Sequence, residues 1–222
     1  MSKKTGTKKK QTKQKEKQQG FNDLLIPMLL ILCIMPFIVR LALYSCGYAK
    51  YPWYSDEDVI MDLYSYYRCY FFEVVAIFTA AVLAFRIGLF PENRKKMKIF
   101  IPLAVYAGMI LLSILLSVNM GASFTGNFYQ FQGVLVLLGY LVFCLYAYQV
   151  MEQEKDYKTI WYGIVAVFIV MAVLGIFQIA KKDLLDFAWM QRLVMSKEQF
   201  AEYGGTLETI FSGNNVLSLI HI

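Results

Sequence analysis

IFIPLAVYAGMILLSILLSVNMGASFTGNFYQFQGVLVLLGYLVFCLYAYQVM, residues Ile99 to Met151, runs for 53 positions without Asp, Glu, Lys, Arg or His. A single helix of that length would measure roughly 80 Å, far beyond the ~30 Å hydrocarbon core of a bilayer. The run must therefore fold back on itself. Ile99–Ser117 is apolar, Val118–Gln132 is polar and aromatic, and Gly133–Met151 is apolar again. Asn119, Gly121, Ser123, Thr125, Gly126 and Asn127 are turn formers and mark the middle piece as a loop. The stretch reads as a membrane hairpin with an uncharged connection.

The surrounding chain repeats this pattern. Of 222 residues, 58% are hydrophobic, and mean hydropathy is +0.48. The apolar residues are gathered in blocks of about 20, as membrane-spanning helices require. The expected fold class is all-α, a polytopic transmembrane helical protein. Its five spans are expected at residues 24–45, 69–89, 99–117, 133–151 and 159–179. Residues 180–216 read as the start of an extramembrane loop, amphipathic around Leu184–Met195.

The net charge of +6 misleads unless it is divided. Residues 1–20 hold eight Lys and one Glu, and the remainder of the chain is close to neutral. The basic excess therefore belongs to a low-complexity tail and gives no nucleic-acid-binding face. That tail reads either as a topology anchor or as an arm touching anionic lipid headgroups. With the N-terminus inside, segments 1–23, 90–98 and 152–158 hold 14 basic residues, against two in segments 46–68 and 118–132. The positive-inside rule then sets the N-terminus in the cytoplasm and the uncharged loop outside.

Charged residues within spans are functional candidates by default. Arg40 lies about one turn from the far end of the first span, where it either serves a site or snorkels to the interface. Glu73 lies one turn inside the second span, poised for Arg68 or a wet cavity. In the same span Ala76, Ala80 and Ala84 recur every fourth residue and predict a small-residue packing face. Tyr48, Tyr51, Trp53, Tyr54, Tyr64, Tyr66 and Tyr67 form an aromatic belt, beside Asp56, Glu57, Asp58 and Asp62. Cys33, Cys46, Cys69 and Cys144 fit no zinc or redox spacing. Cys46 and Cys69 fall at neighbouring span ends, either as free thiols or as a disulfide. Phosphate-loop, dinucleotide, metalloprotease and triad motifs are absent, and the sole histidine is His221. Arg40, Arg68 and Arg192 fall near the outer leaflet. There a guanidinium fork either clamps a lipid diphosphate or sits as an ordinary interfacial cation.

The order of features carries a resemblance. Tyr51-Pro52-Trp53 and Asp62 follow the first span. Gly126-Asn127-Phe128-Tyr129-Gln130-Phe131-Gln132-Gly133 opens the fourth, which carries Tyr140. Gly175-Ile176-Phe177-Gln178 ends the fifth and leads to Lys182-Asp183. This succession resembles the N-terminal part of the O-antigen ligase and polymerase-like membrane family in its Gram-positive form, from about Leu24 to Val216. The resemblance implies a multi-helix enzyme of the bacterial plasma membrane acting at its outer face. It implies a polyprenyl-diphosphate-linked glycan as donor, glycosidic bond formation without a metal or cofactor, and catalytic basic residues in a large later loop. Relatives often carry Arg and Glu where this chain has Gln130 and Gln132, so a charge-based role for the junction does not transfer. The alternatives are a transporter or flippase and a non-enzymatic membrane subunit. Neither an internal repeat nor an ion site in the uncharged hairpin supports transport.

Leu217-Ser218-Leu219-Ile220-His221-Ile222 breaks from what precedes it. The six residues are those encoded by a transposon-end adapter used in sequencing libraries. The expectation is that they are an artefact at a contig end and that His221 carries no function; the alternative is a natural short apolar C-terminus.

Overall fold

The computed structural model describes residues 21–45, 59–90, 101–118, 120–126, 131–179 and 187–203. The basic tail, Cys46 and its pairing with Cys69, Trp53, the Lys-rich segment 91–98, Lys182-Asp183 and residues 217–222 lie outside them. The described chain is mostly helical. In order it forms α1 (Asp23–Phe37), β1 (Ala42–Ser45), β2 (Val59–Asp62), α2 (Ser65–Leu89), α3 (Ile101–Leu115), α4 (Met120–Thr125), α5 (Val134–Val150), α6 (Glu154–Ile179), α7 (Ala188–Val194) and α8 (Lys197–Tyr203). α2 and α6 are long and apolar enough to cross a membrane, with mean hydropathies of 2.0 and 2.6. Most of α6, including Trp161, Phe168 and Ile176, is exposed apolar surface.

The first apolar block departs from the single helix expected over 24–45. The Asn22 side chain caps α1 by accepting the Leu24 N–H at 3.3 Å. The helix then widens into a π-type turn at Leu30–Ile34, tightens to a 3-10 turn at Met35–Phe37 and ends. Pro36 explains the stop, because proline lacks an N–H and crowds the preceding turn. The chain goes on in extended conformation, and β1 pairs antiparallel with β2 in the register Ala42↔Asp62 to Ser45↔Val59. A two-stranded ribbon thus joins the expected all-α fold. β2 leads directly into α2, which starts at Ser65 rather than Cys69. Asp62 fixes that start, since its Oδ1 accepts the Ser65 and Tyr66 N–H groups, both at 2.7 Å. The fifth expected span likewise begins earlier, at Glu154, where Asp156 Oδ2 accepts the Gln153 N–H at 3.2 Å.

The helices pack chiefly through α2 on α5. Phe72, Ala76 and Val136 are buried at this contact. A Cβ on Gly139 would lie 2.6 Å from Phe72 Cε1 and 3.1 Å from the Ala76 Cβ, so the approach requires glycine. Of the expected alanine face only Ala76 is buried in the contact; Ala80 is half-buried and Ala84 exposed. Leu25, Leu83, Tyr146, Val150 and Ile160 tie α1, α2, α5 and α6 together at the end remote from the β-ribbon. There the Tyr146 hydroxyl donates to the Leu24 carbonyl at 2.7 Å, and Asn22 Nδ2 donates to Asp156 Oδ1 at 3.2 Å. Ile110, Ile114 and Val134 close α3 on α5 nearer the ribbon.

Candidate functional site

Arg68 stands in the first turn of α2 and is 3% exposed. Its Nε donates to the Ile38 carbonyl at 2.9 Å and its Nη2 to the Pro36 carbonyl at 2.7 Å. The break of α1 at Pro36 leaves carbonyls without helical partners, and the guanidinium fork satisfies two of them. The guanidinium also lies 5.5 Å from the Tyr64 ring centroid. Arg68 therefore directs its donors to the backbone rather than to Glu73.

Arg40 is exposed, with its guanidinium 5.3 Å over the Tyr67 ring. It follows the broken end of α1, and its backbone N–H donates to the Leu63 carbonyl at 3.1 Å. The next N–H, of Leu41, donates to the Val194 carbonyl at 3.0 Å. Arg192 occupies the last turn of α7, exposed, 5.1 Å over the Phe200 ring. α7 realises part of the amphipathic stretch expected at Leu184–Met195. α8 follows it with a reciprocal cap, in which Ser196 Oγ accepts the Gln199 N–H and Gln199 Oε1 accepts the Ser196 N–H. Leu41, Leu63, Val194 and Met195 form one buried cluster. The three arginine-bearing segments, separated by up to 152 residues in sequence, thus meet around one small core. Two of the guanidinium groups remain on the surface and the third is built into the frame.

An aromatic group adjoins this core. Tyr44 on β1 and Tyr66 on α2 stack at 5.4 Å and 15°. Phe131 meets both edge-on, at 5.2 and 5.4 Å, and Tyr67 and Tyr70 meet Tyr66 at 5.2 and 4.8 Å. Tyr70 is half exposed. Phe131 is buried at φ 51°, left-handed backbone that costs a non-glycine residue about 1–3 kcal/mol. Its ring packing holds it there. The glycines bounding the junction have physical roles too. Gly126 adopts φ 83°, and a Cβ on Gly133 would overlap the Phe124 carbonyl. α4 therefore folds tightly back onto the start of α5. Residues 127–130, Gln130 among them, lie outside the described part; Gln132 is exposed.

The surface offers two arginines seated on aromatic rings, beside a cluster with one open tyrosine face. Guanidinium suits phosphate oxygens, and aromatic faces suit the C–H faces of sugars. No group of three or more His, Cys, Asp or Glu able to hold a metal occurs among the described residues. Sequence reading identified the arginines and tyrosines singly. It named Asp62 only among the acidic residues and missed its capping role, for which the position just before a Ser-Tyr-Tyr helix start was a usable signal, and it missed Arg86 in the second expected span. Compared with protein-family models, curated protein sequences and solved structures, the chain shows no match.

Proposed function

We propose that this chain is the membrane part of a glycan ligase or polymerase of the O-antigen ligase type. In this reading it spans the bacterial plasma membrane five times with its N-terminus inside. It handles a polyprenyl-diphosphate-linked glycan at the outer face. The observation that carries the reading is the convergence of the Arg40 and Arg192 segments beside the tyrosine cluster, at the end that the positive-inside rule directs outward. The irregular first crossing is compatible with a bilayer. α1 covers about 22 Å, and the extended residues beyond it have backbone N–H groups engaged by Leu63 and Val194.

The chemistry is glycosyl transfer. An acceptor hydroxyl attacks the anomeric carbon, the bond from that carbon to the diphosphate oxygen breaks, and polyprenyl diphosphate leaves with the added negative charge. Arg40 and Arg192 are placed to bind that diphosphate and stabilise the charge. Arg68 serves by holding the Arg40 segment. The proton released by the acceptor hydroxyl passes to water at the outer face.

The test is genetic. Deleting the gene should make lipid-linked glycan accumulate or shorten a surface polysaccharide. Complementation with Arg40→Ala or Arg192→Ala should restore less than wild type. Full rescue by both variants returns the arginines to an interfacial role. Unchanged surface glycan with altered solute uptake would favour a transporter.

A further inference from the structure

α7 follows the fifth expected span, in a stretch whose sequence reads as extramembrane. Its residues divide between two arcs. Gln191, Val194 and the following Met195 are buried, the last two in the small core at the ribbon end. On a 3.6-residue turn Ala188, Trp189, Arg192 and Leu193 fall on the other arc, and all four are exposed. Trp189 is 60% and Leu193 72% exposed, and they stand one turn apart as neighbours. Phe187, just before the helix, is exposed as well. α8 contrasts with this, since the charged residues Lys197, Glu198 and Glu202 stand on its exposed surface. A joined apolar edge of this kind, flanked by a cation, marks an interaction surface.

The depth at which α7 sits decides what that surface meets. The Val194 carbonyl accepts the Leu41 N–H, a few residues beyond the end of α1. Val194 and Met195 also pack on Leu63, just before the start of α2. Tyr64, from the aromatic belt, packs on the same cluster. α7 is therefore held level with the ends of two membrane helices, among the tyrosines that suit headgroup depth. An exposed Trp beside an Arg and a Leu matches that layer. The indole and the isobutyl group enter the upper acyl region, and the guanidinium reaches back to phosphate.

We propose that α7 is an interfacial anchor, with Trp189 and Leu193 inserted in the lipid of the leaflet at the ribbon end. That leaflet is the outer one in the topology proposed above. Arg192 is thereby set at the level of the lipid phosphates, where a lipid diphosphate also lies. The proposal rests on that membrane placement and not on the transferase chemistry.

The test uses the full chain with Trp53→Phe and Trp161→Phe, which leaves Trp189 as the one tryptophan. It is reconstituted in phosphatidylcholine vesicles brominated either near the acyl carbonyl or near the chain end. The expected result is a blue-shifted emission, quenched more by the shallow bromines than by the deep ones and little by iodide in the buffer. Emission quenched by iodide and unaffected by bromine would place α7 in water and overturn the anchor. Emission quenched by neither would mean that protein covers the edge, and would overturn it too. A second measurement keeps all native tryptophans, in case the double variant does not fold. Photo-reactive benzoylphenylalanine in place of Leu193 should cross-link to phospholipid in native membranes, whereas the same group in place of Glu198 should not. Cross-linking to protein alone from position 193 refutes the anchor. Neither readout needs glycan transfer, so failure of the transferase reading and failure of the anchor are distinguishable.

Discussion

Arg68 and Gly133 show how single residues set the hairpin end. Arg68→Ala would strip the Pro36 and Ile38 carbonyls of their buried donors. At roughly 1–3 kcal/mol for each buried group left unpaired, the loss should be about 3 kcal/mol. Thermal unfolding in detergent measures it, and Arg68→Lys should recover only part, because one ammonium cannot reproduce the fork. On the proposed reading, loss of glycan transfer in Arg68→Ala should accompany this destabilisation, whereas Arg192→Ala should lose transfer with stability unchanged. At Gly133 even a methyl group meets the Phe124 carbonyl. Gly133→Ala should therefore displace α4 and loosen the aromatic cluster around Phe131. Lower thermal stability and increased proteolysis between Ser117 and Gly133 are the expected readouts.

The element that organises the helices is the contact of α2 with α5. Periodicity marked Ala76, Ala80 and Ala84 as equivalent, but only Ala76 lies opposite Gly139. The substitutions should separate sharply. Ala76→Leu and Gly139→Leu must push the helices apart, at a cost of about 1–3 kcal/mol or more. Ala84→Leu projects from an exposed face and should be close to neutral. Measuring unfolding of the three variants in one detergent checks the assignment, and equal destabilisation by Ala84→Leu would contradict it. The β-ribbon is a second element with a clear source. Its register places Ala42 opposite Asp62, so the residue that ends the ribbon also caps α2. Asp62→Ala should cost about 1 kcal/mol for the lost cap and fray the turn that carries Arg68.

For the whole molecule, the prediction is topological. In intact cells a membrane-impermeant thiol reagent should label Cys46, provided it is not disulfide-bonded, and leave Cys144 unlabelled. With cysteines introduced at Ser2 and Ser123, only Ser123→Cys should react from outside. Labelling at Ser2 and not at Ser123 would invert the map, and with it the proposed glycan face. The exposed apolar length of α6 belongs to the same scale. In water such a surface is an aggregation liability, whereas in hydrocarbon it needs no protein partner.

Composition and charge pattern alone determined that the chain is mostly helical and that apolar helices of membrane-crossing length occur within it. Each of these follows from local hydropathy. The uncharged run of Ile99–Met151 gave the expectation of a loop over Val118–Gln132, and the structure instead places the short helix α4 within that segment. Only the tertiary structure decided that the first apolar block stops at Phe37 and turns into a strand. The partners that make this tolerable, Arg68, Leu63 and Val194, are 23 or more residues away in sequence. Likewise, nothing local distinguishes Arg40, Arg68 and Arg192. Their different fates, two on the surface and one spent on backbone carbonyls, depend on which segments meet around Leu41. Phe131 joins Tyr44 and Tyr66 for the same reason. Long-range packing chooses the neighbours of a side chain, while periodicity reports only the face of the element on which it stands.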